Sequence, residues 1–313
     1  MIDASLLVQM LLGALLALSV YLPLACGQLS LATPGFYAIG GTIAALLSTR
    51  LPALAPATGR YPLSSVLLEM VVALAFSAAL AWGIGSLVLR LRGIYLAIAT
   101  IALVEILRVV SLNLSFTGGA VGIFAIPQPF NDPAGYALFS LALLLLVCFL
   151  CQRLASSRTG RAMAAIRDDE IAAASLGIAS GRVKRFAFVL SAIVAALTGV
   201  VAAHFLNAWN PRLGNFDASI TTLAFVVFGG SRTWIGPVLG GLVLTALPEL
   251  LRPVGDLRLI VFGLVILLGP SLFPQGLVTP ELLIWLRHRL LGRSPLQPAL
   301  AGAAEPDHGA PAP

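Results

Sequence analysis

Long apolar runs broken by short polar stretches dominate the chain, and this alternation predicts its elements. Runs of roughly 18 or more apolar residues read as helices that cross a bilayer. They place spans at about residues 6–25, 66–89, 93–112, 136–150 and 186–205. Shorter runs place further spans from after Gly35 to about Leu47, at Ser219–Gly229, at Val238–Leu251 and from Leu259 to about Phe273. The pattern therefore predicts an all-α, polytopic membrane protein of about nine helices, with about eight to ten compatible with it. Segments of about ten alternating residues, the mark of a transmembrane β-barrel, are not visible.

The polar interruptions differ in kind. Arg50 to Pro62 holds three prolines and reads as a loop, and Asn113 to Pro133 is polar and turn-rich. The largest interruption, Arg153 to Arg185, carries Arg153, Arg158, Arg161, Arg167, Arg182, Lys184 and Arg185 around Asp168, Asp169 and Glu170. A segment this charged sits outside the bilayer. Its interior, 160–177, is rich in good helix formers, and Gly177 stands where a glycine would end a helix. It reads as a docking element rather than a linker. Gly276 to Arg293, with Trp285, Arg287 and Arg289, reads as an interfacial segment, and the Pro/Ala-rich stretch 294–313 as a disordered tail. Residues 1–293 are thus expected to form one transmembrane domain.

Composition narrows the class. The chain of 313 residues is 59% hydrophobic and 10% charged, with a mean hydropathy of +0.98. Soluble domains carry about a quarter charged residues, so an ordinary water-soluble enzyme is excluded. The net charge of +6 lies in short inter-helix loops, which topology explains better than nucleic acid does. With the 153–185 loop placed in the cytoplasm, thirteen basic residues fall inside: Arg90, Arg92, Arg153, Arg158, Arg161, Arg167, Arg182, Lys184, Arg185, Arg232, Arg287, Arg289 and Arg293. Five fall outside: Arg50, Arg60, Arg212, Arg252 and Arg258. This bias puts the N-terminus outside and the C-terminus in the cytoplasm. The first residues lack a basic stretch, so a cleaved signal peptide is not expected, and Pro23 spoils a lipoprotein-like reading of residues 22–26. Cys148 and Cys151 form a C-x-x-C inside an apolar run and read as small buried residues.

Two features point to a path through the membrane. Glu105 and Arg108 stand three apart on one helix and can pair. A charge at mid-membrane costs at least ~2.5–3.5 kcal/mol, so the pair is either functional or a structural ion pair between helices. Gly/Pro-interrupted segments recur in both halves: Ser30 to Gly35 (with Pro34) before Gly40-Gly41, and Ser231 to Pro237 (with Gly236) before Gly240-Gly241. Non-helical backbone at membrane depth survives only inside protein or along a water-filled path, so matched breaks point to a translocation path and an internal repeat. Close helix packing through small residues explains the glycine pairs equally well. His204, His288 and His308 are scattered, there is no nucleotide-binding loop and no catalytic set, so the chain is not expected to be an enzyme.

Arg90-Leu-Arg-Gly-Ile-Tyr95, Thr100, Glu105 to Arg108, Thr117-Gly-Gly119, Ala165 to Glu170, Ala172 to Ile178, Phe228-Gly229-Gly230, Gly236 to Gly240, Pro248-Glu249 and Phe273 to Gly276 occur in order. Across roughly residues 27–277 this pattern resembles the permease subunits of bacterial branched-chain amino acid ABC importers, of the LivM type. The resemblance implies a multi-pass subunit of the bacterial inner membrane that pairs with a sister permease. Two cytoplasmic ATPase subunits would hold ATP and Mg²⁺, with no cofactor or metal on this chain, and a periplasmic binding protein would deliver the solute. Residues 160–178 would be the coupling region, with Arg161, Arg167, Asp168, Asp169 and Glu170 making polar contacts, Ile171, Leu176 and Ile178 seating it, and Gly177 ending it. The path would run past Ser30, Pro34, Gly35, Glu105, Arg108, Thr117, Gly118, Gly119, Gly229, Gly230, Gly236 and Pro237. Thr33-Pro34 and Ser231-Arg232 depart from the family pattern and bear on substrate identity. A stand-alone, ion-coupled secondary transporter is the competing class. It would need intramembrane carboxylates, of which this reading counts Glu105 alone.

Overall fold

The structure, a computed structural model, describes residues 3–51, 61–272 and 276–278. The interfacial segment expected at 276–293 lies outside the described residues beyond Val278, as do the tail and most of the Arg50–Pro62 loop.

Among the described residues the protein is helical throughout, apart from one two-residue ribbon. In chain order the helices are α1 (Ala4–Leu24), α2 (Thr33–Arg50), α3 (Leu63–Val88), α4 (Ile94–Asn113), α5 (Pro133–Ser156), α6 (Arg158–Asp168), α7 (Glu170–Ser175), α8 (Ser180–Leu206), α9 (Phe216–Gly229), α10 (Ile235–Leu250) and α11 (Arg258–Leu272). Five of them, α1, α3, α4, α5 and α8, are long and apolar enough to cross a membrane. With 14 and 16 residues, α9 and α10 fall short of the roughly 20 that a full crossing takes. The multi-pass helical architecture follows the apolar pattern closely. Where α5 was expected to stop at Leu150, it continues to Ser156, and α8 begins at Ser180. The charged connection is accordingly shorter, 157–179, because both flanking helices extend beyond their apolar stretches.

α1 and α8 form the centre: 72% of the apolar window of each is buried, against 28–39% for α3, α4 and α5. Lipid is as apolar as the helices, so association rests on close packing rather than on exclusion of water. Small residues supply that packing. A Cβ added to Gly40 of α2 would lie 2.1 Å from the Ala196 carbonyl oxygen of α8, and one on Gly199 would lie 2.1 Å from the Tyr37 oxygen of α2. α10 meets α1 in the same way, with Gly241 against Ala14.

The face opposite the charged connection carries a cap. Its parts are a 3-10 turn (Ser115–Thr117), a strand β1 (Ile123–Phe124), a strand β2 (Ala208–Trp209) and a second 3-10 turn (Pro211–Leu213). β1 and β2 pair antiparallel, Ile123 opposite Trp209, and so join two connections that the sequence pattern leaves separate. Trp209 anchors the ribbon. Its indole N–H donates to the Ala38 carbonyl of α2 at 3.1 Å, and the ring occupies the space that Gly41 leaves free.

Candidate functional site

The charged connection folds as two short helices, not one. Ser157 caps α6 by accepting from the Gly160 N–H at 3.0 Å. Helix α6 buries Met163 and Ile166, and Met163 packs on Cys26, just after α1, and on Ala187 in the first part of α8. Asp169 is extended (φ −153°, ψ 111°) and breaks the run. Its carboxylate then accepts from the Ile171 and Ala172 N–H groups at 2.8 and 3.0 Å, capping α7. At the far end Gly177 takes φ +82°, and the Gly177 and Ile178 N–H groups return to the Ala174 and Ala173 carbonyls. This is a Schellman ending, as the position of Gly177 in the sequence suggested.

Several of the charged residues also have partners within the chain. Asp169 is occupied inside the element as a cap. Glu170 turns back to Lys184 at 2.8 Å and to Arg92 at 3.7 Å, tying α7 to the base of α8 and to the turn before α4. Arg161 reaches the Ser156 carbonyl at the end of α5 at 3.0 Å, next to its own connection. Asp168 is exposed, and Ile178 is half-buried. Ile171, in the first turn of α7, and Leu176, its C-cap residue, stand 75% and 81% exposed. Neither is buried against the described residues.

Arg167 points the other way. Its guanidinium donates to the Ser231 carbonyl at 3.1 Å, in the connection between α9 and α10. Its backbone abuts the connection between α1 and α2, where a Cβ on Gly27 would lie 3.2 Å from the Arg167 Cα. One residue of the charged element thus touches both helix breaks. A pocket of about 530 Å³ opens beside it, lined by Tyr21, Met163, Arg167, Asp168 and Arg232 among others.

The two breaks carry most of the residues expected along a path. Between α1 and α2 the backbone is irregular and largely buried, so its polar groups require partners. The Leu31 N–H donates to Thr100 Oγ1 of α4 at 3.0 Å, and Ser219 Oγ of α9 donates to the Leu31 carbonyl at 3.1 Å. Ser30 is buried here, and Gly35 lies against Val104 and Leu107 of α4. Between α9 and α10, backbone meets backbone. A Cβ on Gly229 would lie 2.0 Å from the Gly236 oxygen and one on Gly236 2.2 Å from the Gly230 oxygen, while Pro237 is buried in the first turn of α10. The Leu277 and Val278 N–H groups close this break onto the Phe228 and Gly229 carbonyls. Here the glycines serve close packing.

Glu105 and Arg108 do pair, with Arg108 Nη2 and Nε at 2.6 and 2.7 Å from Glu105 Oε2. The pair is not enclosed between helices: its side chains are 30–35% exposed. Glu105 Oε1 also accepts the Phe216 N–H at 3.2 Å, so the pair joins α4 to the N-terminus of α9, an end that favours negative charge. Thr117, Gly118 and Gly119 lie apart from both breaks, in the turn that ends α4. Thr117 Oγ1 donates to the Ser111 and Leu114 carbonyls, and both glycines have positive φ.

Sequence reasoning missed three groups. Thr100 and Ser219 serve the first break, but nothing in the sequence marks a hydroxyl in a helix as a partner for a distant backbone. Glu69 was overlooked as an intramembrane carboxylate. It is fully buried in α3 and pairs with His204, set aside above as scattered. A lone carboxylate inside an apolar span was the available signal.

The sequence model of the family described as branched-chain amino acid transport system / permease component matches residues 2–269. Among curated proteins, the high-affinity branched-chain amino acid transport system permease protein LivM of Escherichia coli (strain K12) is 33% identical over 282 residues, 80% of this chain and 64% of that protein. The chain therefore spans about two thirds of the length of these LivM relatives, at 64%. The LivH permease protein of the same strain is 38% identical over 104 residues, 33% of this chain and 32% of LivH. The autoinducer 2 import system permease protein LsrC of Yersinia pseudotuberculosis (strain YPIII) is 28% identical over 173 residues, 52% and 48% of the two chains. No solved structure matches the chain significantly.

Proposed function

This chain belongs to the branched-chain amino acid transport system permease family, and from that premise we propose that it is the transmembrane permease subunit of an ATP-binding-cassette importer. The observation that carries this reading is the division of labour in the charged element. α7 presents Ile171 and Leu176 outward, free to seat in another protein, while Arg167 of α6 reaches inward to both helix breaks. Such an element can receive a push from an ATPase and pass it to the broken helices. The family, the branched-chain amino acid transport system named in the LivM and LivH relatives and the import system named in LsrC support the same reading.

On this reading the face carrying 157–179 is cytoplasmic, and the cap and N-terminus are periplasmic. Two cytoplasmic ATPase subunits hold the ATP and Mg²⁺. A sister permease completes the pore, and a periplasmic binding protein delivers a branched-chain amino acid or a related small solute. The path runs along the α2–α4–α9 junction, past Ser30, Pro34, Gly35 and the Glu105–Arg108 pair. ATP-driven closure of the ATPases rocks the two permeases between inward-open and outward-open states.

The test is reconstitution with the sister permease and ATPases. Liganded binding protein should stimulate ATP hydrolysis and solute uptake. Uptake by this chain alone, driven by an ion gradient and lost in Glu69→Gln, would replace the importer with an ion-coupled carrier. Glu69 is the observation that keeps that second reading in view.

A further inference from the structure

Groups from four separate segments meet beneath the cap. Glu69 of α3 and His204 of α8 are 0% and 1% exposed, with Nε2 and Oε2 2.5 Å apart. The Tyr61 hydroxyl, just before α3, donates to the other Glu69 oxygen. His204 Nδ1 lies 2.8 Å from the Pro127 carbonyl oxygen, in the cap segment that follows β1. The His204 carbonyl in turn accepts from the Tyr136 hydroxyl of α5 at 3.1 Å and from the Gln128 amide at 3.3 Å.

The proton positions follow from which atoms can donate. A carbonyl only accepts, so His204 carries a proton on Nδ1. Burial first, and the hydrogen bond to Glu69 second, push the Tyr61 phenol up, so it keeps its proton and is the donor to Glu69. One proton is then left for the contact between Nε2 and Oε2. Whether nitrogen or oxygen holds it, the pair has no net charge. A neutral pair avoids the desolvation cost of an unpaired buried ion.

We propose that Glu69 and His204 form a proton-sharing latch that positions the cap. Glu69 fixes the ring direction of His204 from the Nε2 side, the Pro127 carbonyl keeps the proton on Nδ1, and His204 thereby holds Pro127 and Gln128 on the ends of α3 and α8. Both are positioning residues. The latch is independent of what the chain transports, and of whether an ATPase drives it.

The test uses the full chain in nanodiscs, with Cys26, Cys148 and Cys151 replaced by alanine and Ile126→Cys as a reporter. Ile126 lies next to Pro127 and is 1% exposed, so a membrane-impermeant maleimide reaches it only when the cap lifts. The parent chain should label slowly. Glu69→Gln should also label slowly, because its amide N–H donates to Nε2 and its carbonyl accepts from Tyr61. Glu69→Leu should label about tenfold faster or more, the opening expected when buried hydrogen bonds are lost. Nitrogen-15 spectra should find the His204 proton on Nδ1 in the parent and in Glu69→Gln, and should lose that preference in Glu69→Leu. An unprotonated Nδ1 in the parent overturns the proposal, as does a Glu69→Leu chain that labels slowly or a Glu69→Gln chain that labels fast. If Glu69→Leu fails to insert, the parent spectrum and the Glu69→Gln labelling rate still decide.

Discussion

The break between α1 and α2 and the break between α9 and α10 solve one problem by different chemistry. Each links two helices inside a helical membrane protein and must satisfy the backbone groups it exposes. The first does so with hydroxyls from two other helices, Thr100 and Ser219, which hold the Leu31 N–H and carbonyl. The second packs glycine against glycine and closes with backbone hydrogen bonds from Leu277 and Val278. A side-chain clasp can open by rotating one bond. A glycine seam moves only as a block. The difference predicts local opening at the first break and rigid-body motion at the second, with Arg167 between them.

The largest effect should come from the seam. A methyl at Gly240 would lie 2.0 Å from the Phe225 carbonyl oxygen and 2.9 Å from the Gly229 nitrogen. Gly240→Ala should cost about 3 kcal/mol, at the upper end for overpacking, and lower the thermal midpoint of the purified chain. A midpoint equal to the parent's would mean that the seam yields as readily as the clasp. Thr100→Val keeps the side-chain shape but leaves the buried Leu31 N–H without an acceptor. It should cost about 1–3 kcal/mol and raise hydrogen exchange at residues 29–32 while leaving the α9–α10 break unchanged. Ser219→Ala should act on the same four residues, and the double variant should be non-additive because the two share Leu31.

Arg167→Met tests whether the two breaks communicate. It removes a charge-assisted hydrogen bond of about 1.5–3 kcal/mol gross, of which a half-exposed site keeps the lower part. ATPase subunits should still co-purify, and solute moved per ATP hydrolysed should fall. Unchanged coupling would confine the element to docking. The smallest effect belongs to Asp169→Ala, which removes the cap of α7 at about 1 kcal/mol and should appear as faster exchange at Ile171 and Ala172.

The positions of the long helices were legible because each buries or exposes an apolar run of bilayer length, and Gly177 was legible because a positive φ favours one residue type. The partners of the charged residues were not. Asp169 reads in sequence as one of three equivalent acids, and only its extended backbone turns it into a cap while Glu170 folds back to Lys184. Arg167 and Arg161 look alike in composition, but one faces the two breaks and the other the end of α5. The β1–β2 ribbon escaped notice because two residues per strand leave no alternation to detect. Glu69 was visible as a lone carboxylate, but its partner is 135 residues away, a separation that no local pattern spans.

That separation has a consequence for biogenesis. At roughly 5–20 residues per second, a ribosome takes on the order of ten seconds to synthesise the stretch from α3 to the end of α8. Throughout that interval the newborn α3 carries a carboxylate whose imidazole does not yet exist. Tyr61, eight residues upstream, is the one member of the network made before it. The proposed latch can therefore form only after α8 has been made, so it belongs to the last stage of assembly of the bundle.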